Sequence, residues 1–117
     1  MRVFMTLALS LPLIAQPPAP RDLRVFYQEN CVRCHGLDGS GRDASGNRLK
    51  GLDFTDPAWA GRTQDAALVK AILNGKFFGL AMPAFKGKLS PEEAQALVTQ
   101  VVRKAEKGRD IEPERIP

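Results

Sequence analysis

The amino-acid sequence predicts an all-α fold of about three to four short helices joined by long loops. Three segments repeat apolar residues at helical spacing, and no segment shows the pattern of a parallel sheet. The 117 residues include 10 glycines and 9 prolines, a proportion typical of a loop-rich chain but below that of low-complexity sequence. With 44% hydrophobic and 26% charged residues, the chain is long enough for one globular domain and too apolar to be disordered.

The scarce residue types exclude several kinds of site. The sequence contains 2 cysteines and 1 histidine. It therefore cannot be a disulfide scaffold, and no site within one chain can use two imidazoles. The net charge of +4 is modest and spread along the chain, so we expect no nucleic-acid partner.

Residues 1–15 have the pattern of an export signal. Arg2 precedes an apolar run of about a dozen residues, which is too short to span a membrane and suits a secretory signal. We expect cleavage after Ala15, or as late as Ala19. The alternatives are an uncleaved membrane anchor and a buried helix.

The chain that follows the signal is expected to be a soluble, exported protein. Residues 16–21 form a Pro-rich linker. Cleavage removes Met1 and Met5, so that Met82 is the single methionine of the mature chain. We expect no stable membrane insertion after cleavage.

Two short helices are predicted in the first part of the domain. One covers residues 22–32, where Asp22 is a suitable N-cap and apolar residues share one helical face. The other covers residues 64–74, with Thr63 as the N-cap. Between them, residues 36–62 show little regular pattern apart from a glycine-rich turn.

The last helix has the clearest signal. Ser90 and Glu93 have the spacing of a capping box, and Pro91 occupies the first helical position. Apolar residues then follow at helical spacing, and the helix is expected to end at Gly108.

We place the domain at residues 22–108 and expect residues 109–117 to lie loosely on its surface. Within the domain, residues 36–62 and 76–89 are irregular stretches of a length that is unusual in a compact fold. Three short helices also form only a thin core. Both difficulties are removed if the long loops wrap around a large, flat, apolar group.

A cysteine motif identifies that group. Residues 31–35 read Cys-Val-Arg-Cys-His, the pattern of c-type haem attachment. Each thiol can add to one vinyl group of a haem, and the next residue places an imidazole under the iron. A zinc site would need a second pair of ligands, which the sequence lacks; a thioredoxin-like dithiol or a structural disulfide is also compatible with the two cysteines. We predict one haem c, bound covalently through Cys31 and Cys34, with His35 as an iron ligand.

Met82 is predicted to be the second iron ligand. Because the chain has 1 histidine, ligation by two histidines is impossible. Pro83 disfavours helix at Met82 and removes a backbone donor beside it. A methionine is more often a core residue than a ligand, but the sequence Met-Pro-Ala-Phe favours ligation. Ligation by His35 and Met82 raises the reduction potential, which suits an electron carrier.

These features together resemble the class I c-type cytochromes, which are small monohaem proteins of the bacterial periplasm. The matching segments are residues 31–36 (CVRCHG), 38–41 (DGSG), 68–75 (LVKAILNG), 82–85 (MPAF) and 89–93 (LSPEE). The resemblance implies that the N- and C-terminal helices cross, and that the loops wrap one covalent haem with one edge exposed.

The sequence departs from this family at three positions. Leu23 and Gln100 stand where the family usually has a glycine and an aromatic residue on the two crossing helices. Asn47 lies near the place of a proline whose carbonyl orients the haem-ligating histidine, and the carbonyl of Asn47 could take that role. None of the three departures touches the predicted iron ligands.

Further side chains are predicted to contact the haem. Trp59 could donate its indole N–H to a haem propionate, or could simply pack. The apolar residues that we expect to pack on the haem are Phe54, Leu68, Ile72, Leu80, Pro83 and Phe85.

Two groups of basic residues lie near the predicted site in sequence. Arg42, Arg48 and Lys50 could neutralise propionates, although solvated surface charges are the simpler interpretation. Lys76, Lys86 and Lys88 flank Met82 and could form a weak basic rim that steers acidic redox partners.

The sequence thus predicts a periplasmic, monomeric carrier of single electrons that is not an enzyme. Its expected partners are redox proteins, such as a donor dehydrogenase or an acceptor oxidase or reductase. One alternative is a ligand-binding or peroxidase-like haem protein in which Met82 dissociates from the iron. A second is a dedicated electron-accepting subunit of a dehydrogenase or oxidase complex.

Overall fold

The computed structural model describes residues 3, 4, 8 and 21–113. The predicted export signal and linker lie outside these residues, apart from positions 3, 4, 8 and 21. No helix among the described residues has the length and apolar character needed to cross a membrane.

The all-α prediction is confirmed. Extended pairing among the described residues is limited to single bridges, and 3₁₀ turns cover Phe77–Gly79 and Val102–Lys104. The described part of the chain has five α-helices rather than three to four: α1 (Leu23–Asn30), α2 (Val32–His35), α3 (Pro57–Arg62), α4 (Asp65–Asn74) and α5 (Pro91–Gln100).

The first predicted helix is divided at Cys31. The Asp22 carboxylate accepts a hydrogen bond from Arg24 N–H and begins α1 as expected. Cys31 then departs from helical geometry, with φ −115° and ψ −28°. The side-chain amide of Asn30 donates to the carbonyl of Phe26, a local bond that competes with continuation of the helix. The motif of residues 31–35 therefore begins at the joint between α1 and α2.

Helix α3 is a correction, because residues 57–62 were expected to be irregular. The Asp56 carboxylate accepts a hydrogen bond from Ala58 N–H at 3.0 Å, and Pro57 occupies the first helical position. This start signal is readable in the sequence, but the helix has too few turns to show an apolar period.

The two remaining helices differ from prediction at their ends. Helix α4 begins one residue late, with Gln64 rather than Thr63 as the N-cap. Helix α5 has the predicted capping box but ends at Gln100 instead of continuing to Gly108. After it, Arg103 reaches back to Asp65 and to two backbone carbonyls, and these bonds hold the chain in a 3₁₀ turn.

The core forms where α5 packs against α1 and α4. Leu23 is buried in this core together with Leu97 and Val101, whereas Gln100 is exposed. The first and last helices therefore meet as the resemblance implies, and Leu23 is part of the buried core that they share.

The chain after α5 is packed onto the domain as far as Ile111, which differs from the expected loose tail. Ile111 is buried, and its N–H donates to the Leu37 carbonyl at 2.8 Å. Gln28 of α1 donates to the carbonyl of Ile111. Residues 114–117 of the predicted tail lie outside the described part of the chain.

Candidate functional site

A small apolar cavity brings together most of the predicted site residues. Its walls include Cys31, His35, Phe54, Ile72, Met82 and Phe85. The volume is about 20 Å³, which is room for about one water molecule. This volume is far smaller than a haem. The chemistry of the lining side chains, rather than the volume, indicates which group they can bind.

The two cysteines of the motif are free thiols and are not joined in a disulfide. Both are partly buried, and Cys31 lines the cavity, whereas Cys34 lies on α2 outside the lining. Burial, followed by the neighbouring Cys34, raises the pKa of the Cys31 thiol to about 12. In the folded chain the Cys31 sulfur is thus a neutral thiol at pH 7.

His35 ends α2, and one hydrogen bond fixes its ring. Its Nδ1 lies 3.1 Å from the carbonyl oxygen of Leu52. Because a carbonyl can only accept, Nδ1 carries the hydrogen and donates it, which leaves Nε2 as the basic nitrogen available to a metal. Burial lowers the pKa of the imidazole, although the bond to Leu52 acts in the opposite direction. Asn47, the expected orienting residue, is exposed and its carbonyl accepts from Asp43 N–H instead.

Gly51 allows the approach of the Leu52 carbonyl to His35. Its N–H donates to the carbonyl of Cys34 at 2.7 Å. A Cβ at this position would overlap that carbonyl oxygen and would lie 2.5 Å from His35 Nδ1. A side chain at Gly51 is therefore incompatible with this arrangement.

Phe54 packs directly on His35 and connects it to the outer residues of the site. The two rings stack with centroids 4.3 Å apart. Phe54 also contacts Trp59, at 5.3 Å between centroids, and the guanidinium carbon of Arg103 lies 5.6 Å from the centre of the Trp59 ring. Trp59 is buried, and its ring contacts in the structure are packing contacts.

Met82 approaches the cavity from the loop that follows α4. Its carbonyl accepts from Lys76 N–H at 2.9 Å, and its own N–H donates to the Lys76 carbonyl at 3.4 Å. Gly75 ends α4 with φ 73°, and a Cβ there would lie 2.6 Å from the Met82 carbonyl oxygen. The Met82 side chain is half-buried and packs against the core.

Other predicted contacts lie away from the cavity lining. Leu68 packs against the core from α4, while Pro83 and Leu80 are exposed. The basic residues expected near the site are all exposed: Arg42, Arg48, Lys50, Lys76, Lys86 and Lys88.

Several lining residues were not predicted: Phe26, Tyr27, Leu97 and Val102. Tyr27 lies one helical turn before Cys31, so its spacing was a usable signal. It is fully buried, and its hydroxyl donates to the Gly36 carbonyl at 2.8 Å. Burial raises its pKa far above the ordinary value, with smaller contributions from Cys31 and Asp38.

The donor set of this site fits a covalent haem c. The free thiols of Cys31 and Cys34 match thioether attachment, and the motif is that of c-type haem attachment. His35 offers Nε2, while Met82 offers a thioether sulfur at the same cavity. Aromatic and aliphatic side chains form the rest of the walls, and such walls suit an apolar macrocycle.

Comparisons with known proteins agree with this chemistry. The sequence model of the family described as cytochrome C oxidase, cbb3-type, subunit III matches residues 18–99. Cytochrome c6 of Leptolyngbya boryana is 38% identical over 82 residues, which cover 70% of this chain and 88% of that protein. The chain belongs to the class I c-type cytochromes.

This cytochrome covers very different fractions of two further relatives. The oxidase subunit FixP of Bradyrhizobium diazoefficiens is 35% identical over 76 residues, or 65% of this chain. The cytochrome spans 24% of the length of that FixP protein. A solved structure, KustC0563 c-type cytochrome, superposes with a TM-score of 0.58 at 33% identity and covers 74% of this chain and 100% of that one. Homologues thus include both a free-standing domain and part of a larger subunit.

Proposed function

We propose that this electron-transfer cytochrome carries single electrons on one haem c. Cys31 and Cys34 would anchor the haem, and His35 and Met82 would bind its iron. The observation that supports this assignment is the convergence of a thiol, a free imidazole Nε2 and a thioether on one apolar cavity. The haem, when bound, supplies reversible one-electron chemistry at iron.

The residues of this chain hold the iron ligands in place and exclude water. The Leu52 carbonyl and the Phe54 ring fix the orientation of His35, and the paired backbone bonds to Lys76 fix Met82. If His35 and Met82 both bound the iron, they would leave no room for a substrate at the metal, and this favours a carrier over an enzyme. The proposed role of the protein is to keep both ligands on the iron in either oxidation state.

The setting of this electron transfer is also a proposal. The pattern of residues 1–15 supports export to the periplasm, with domain boundaries at residues 22–108. A donor dehydrogenase and an acceptor oxidase or reductase are the expected partners of a monomer. A relative named as an oxidase subunit supports a second candidate, a dedicated subunit of an oxidase complex, and co-purification tests it.

A pyridine haemochrome spectrum tests the covalent haem. The full chain, produced in cells with a haem-maturation system, is expected to keep its haem after acid–acetone extraction. The Cys31→Ala and Cys34→Ala variants should each keep at most one thioether bond, which moves the haemochrome band. Loss of all haem from the wild-type chain on extraction would overturn the assignment.

The ferric spectrum tests Met82. Met82→Ala is expected to abolish the weak band in the red that reports the bond between iron and methionine sulfur, to lower the reduction potential and to admit carbon monoxide to the ferrous iron. Gln100→Ala, an exposed change outside the cavity lining, should leave all three unchanged. Ready binding of carbon monoxide by the wild-type protein would favour the ligand-binding alternative.

A further inference from the structure

The loop before Met82 has an unusual backbone. Lys76 and Met82 pair through two backbone hydrogen bonds, and the residues between them form a closed tip. Phe77 and Phe78 have φ values of 50° and 55°, a left-handed conformation that non-glycine residues rarely adopt. Local strain of this kind marks positions whose placement matters for function. We call residues 77–80 the aromatic tip.

The aromatic tip exposes its apolar side chains almost completely. Phe77, Phe78 and Leu80 are 79%, 107% and 89% exposed. None of the three lines the cavity that holds His35 and Met82. Neighbouring apolar side chains that are this exposed indicate a binding surface.

The chain around the tip carries positive charge alone. Residues 75–90 contain Lys76, Lys86 and Lys88 and no Asp or Glu. All three lysines are exposed. The tip is thus an apolar projection within a basic segment, which is complementary to a surface that is apolar inside and anionic outside.

We propose that the aromatic tip binds reversibly to the surface of an anionic phospholipid membrane. Phe77, Phe78 and Leu80 enter the headgroup region, where aromatic and aliphatic side chains are favourable. Lys76, Lys86 and Lys88 interact with lipid phosphates. This is peripheral binding by a loop and requires no helix that crosses the membrane.

The shape of the tip favours a membrane over a protein partner. A transient redox interface can be as small as the area that these three side chains offer, so area does not decide between the two kinds of partner. A protein partner must, however, offer a pocket that matches the tip. A bilayer needs no such pocket, because exposed apolar side chains can enter the headgroup region at any point.

Co-sedimentation of the haem-loaded full chain with vesicles tests the proposal. We expect binding to phosphatidylcholine vesicles that contain phosphatidylglycerol, weaker binding as salt is added, and little binding to phosphatidylcholine alone. The double variant Phe77→Ser/Phe78→Ser should bind about tenfold more weakly. Leu37→Ser, an exposed apolar change far from residues 77–80 in sequence, should bind like the wild-type protein.

Two double lysine variants test the electrostatic contribution to membrane binding. Lys86→Gln/Lys88→Gln should weaken binding to the anionic vesicles several-fold, whereas Lys70→Gln/Lys107→Gln removes the same charge elsewhere and should weaken it much less. The haem spectrum of each sample shows that the cofactor site is intact, so failure of the haem assignment is seen separately.

Two results would overturn the proposal. One is the absence of vesicle binding by the wild-type protein at low salt, and the other is undiminished binding by Phe77→Ser/Phe78→Ser. If that variant binds vesicles normally but exchanges electrons more slowly with a redox protein, the tip is a protein contact and the membrane assignment is wrong.

Discussion

The imidazole of His35 lies face to face with the phenyl ring of Phe54, with 4.3 Å between ring centroids and 19° between ring planes. Phe54 N–H also donates to the Gly39 carbonyl at 2.7 Å, so the ring is tied to the glycine-rich turn. The contacts continue through Trp59 to Arg103. One side of the imidazole is thus supported by a row of packed side chains that reaches the surface.

Truncation of Phe54 should remove this support. We expect Phe54→Ala to destabilise the protein by about 3 kcal/mol through lost packing, and Phe54→Leu to cost clearly less. Urea unfolding of the haem-loaded protein measures both variants. A loss below about 1 kcal/mol for Phe54→Ala would show that the ring carries little of the stability of the site.

Two glycines should respond oppositely to alanine. At Gly51 the new Cβ overlaps the Cys34 carbonyl oxygen, a backbone atom that cannot move aside, so Gly51→Ala should cost about 2 kcal/mol. Gly61 in α3 has open space around its Cβ position, and Gly61→Ala should stabilise by about 0.5 kcal/mol through helix propensity. Thermal unfolding of the pair checks this, and equal effects would contradict the close approach at Gly51.

Arg103 should matter more than other arginines near the C-terminus. Its guanidinium donates to Asp65 Oδ1 at 2.8 Å and to the carbonyls of Ala60 and Thr63. We expect Arg103→Ala to cost about 2–3 kcal/mol, because it breaks an ion pair and leaves two carbonyls without this donor. The side chain of Arg109 is 79% exposed. Arg109→Ala should therefore lower the free energy of unfolding by at most about 0.5 kcal/mol. If urea unfolding showed similar losses of stability for Arg103→Ala and Arg109→Ala, the hydrogen bonds of Arg103 would contribute little to stability.

Asp38 should contribute to acid sensitivity. Although burial opposes it, hydrogen bonds from Ser40 and from Gly108 N–H lower the pKa of Asp38 below its ordinary value of 3.8. The unfolded chain therefore binds this proton first as the pH falls. The stabilisation by Asp38 is complete above pH 3.8 and is lost as the pH drops through the lower folded-state pKa.

The variant Asp38→Asn should be less stable than the wild-type protein at neutral pH, and this difference should narrow in acid. Asp110→Asn, a change of an exposed carboxylate two residues after Gly108, serves as the control and should alter neither the stability at neutral pH nor its pH dependence. Unfolding measured at a series of pH values checks both. A difference that stays constant down to pH 3 would contradict the lowered pKa of Asp38.

The helical fold was predictable wherever local signals were complete. The capping box at Ser90 and the N-cap at Asp22 mark helix starts that the structure contains. The early end of α5 was not predictable, because it depends on Arg103 meeting residues of α3 and α4 that are distant in sequence. Helix α3 was missed because six residues are too few to show an apolar period.

The sequence predicted which side chains meet at the candidate site, but not the groups that hold them in place. Cys31, His35 and Met82 line one cavity, and they were predicted as donors because their residue types are scarce and their chemistry is distinctive. The partner of His35 is a backbone carbonyl, a group that every residue has, so nothing in the sequence distinguishes Leu52 from Asn47. The exposure of residues 77–80 is likewise a property of the folded backbone.

The bonds of Arg103 also have a bearing on the order in which the molecule is completed. They join residues 38 to 43 positions apart, and contacts of such separation form only after the intervening chain has closed. In a chain that crosses a membrane N-terminus first, Cys31 and Cys34 emerge well before Arg103. Until Arg103 follows, the end of α5 cannot be tied to α3 and α4. In the proposed export of this chain, a maturation enzyme would therefore meet the thiols on an incompletely folded chain.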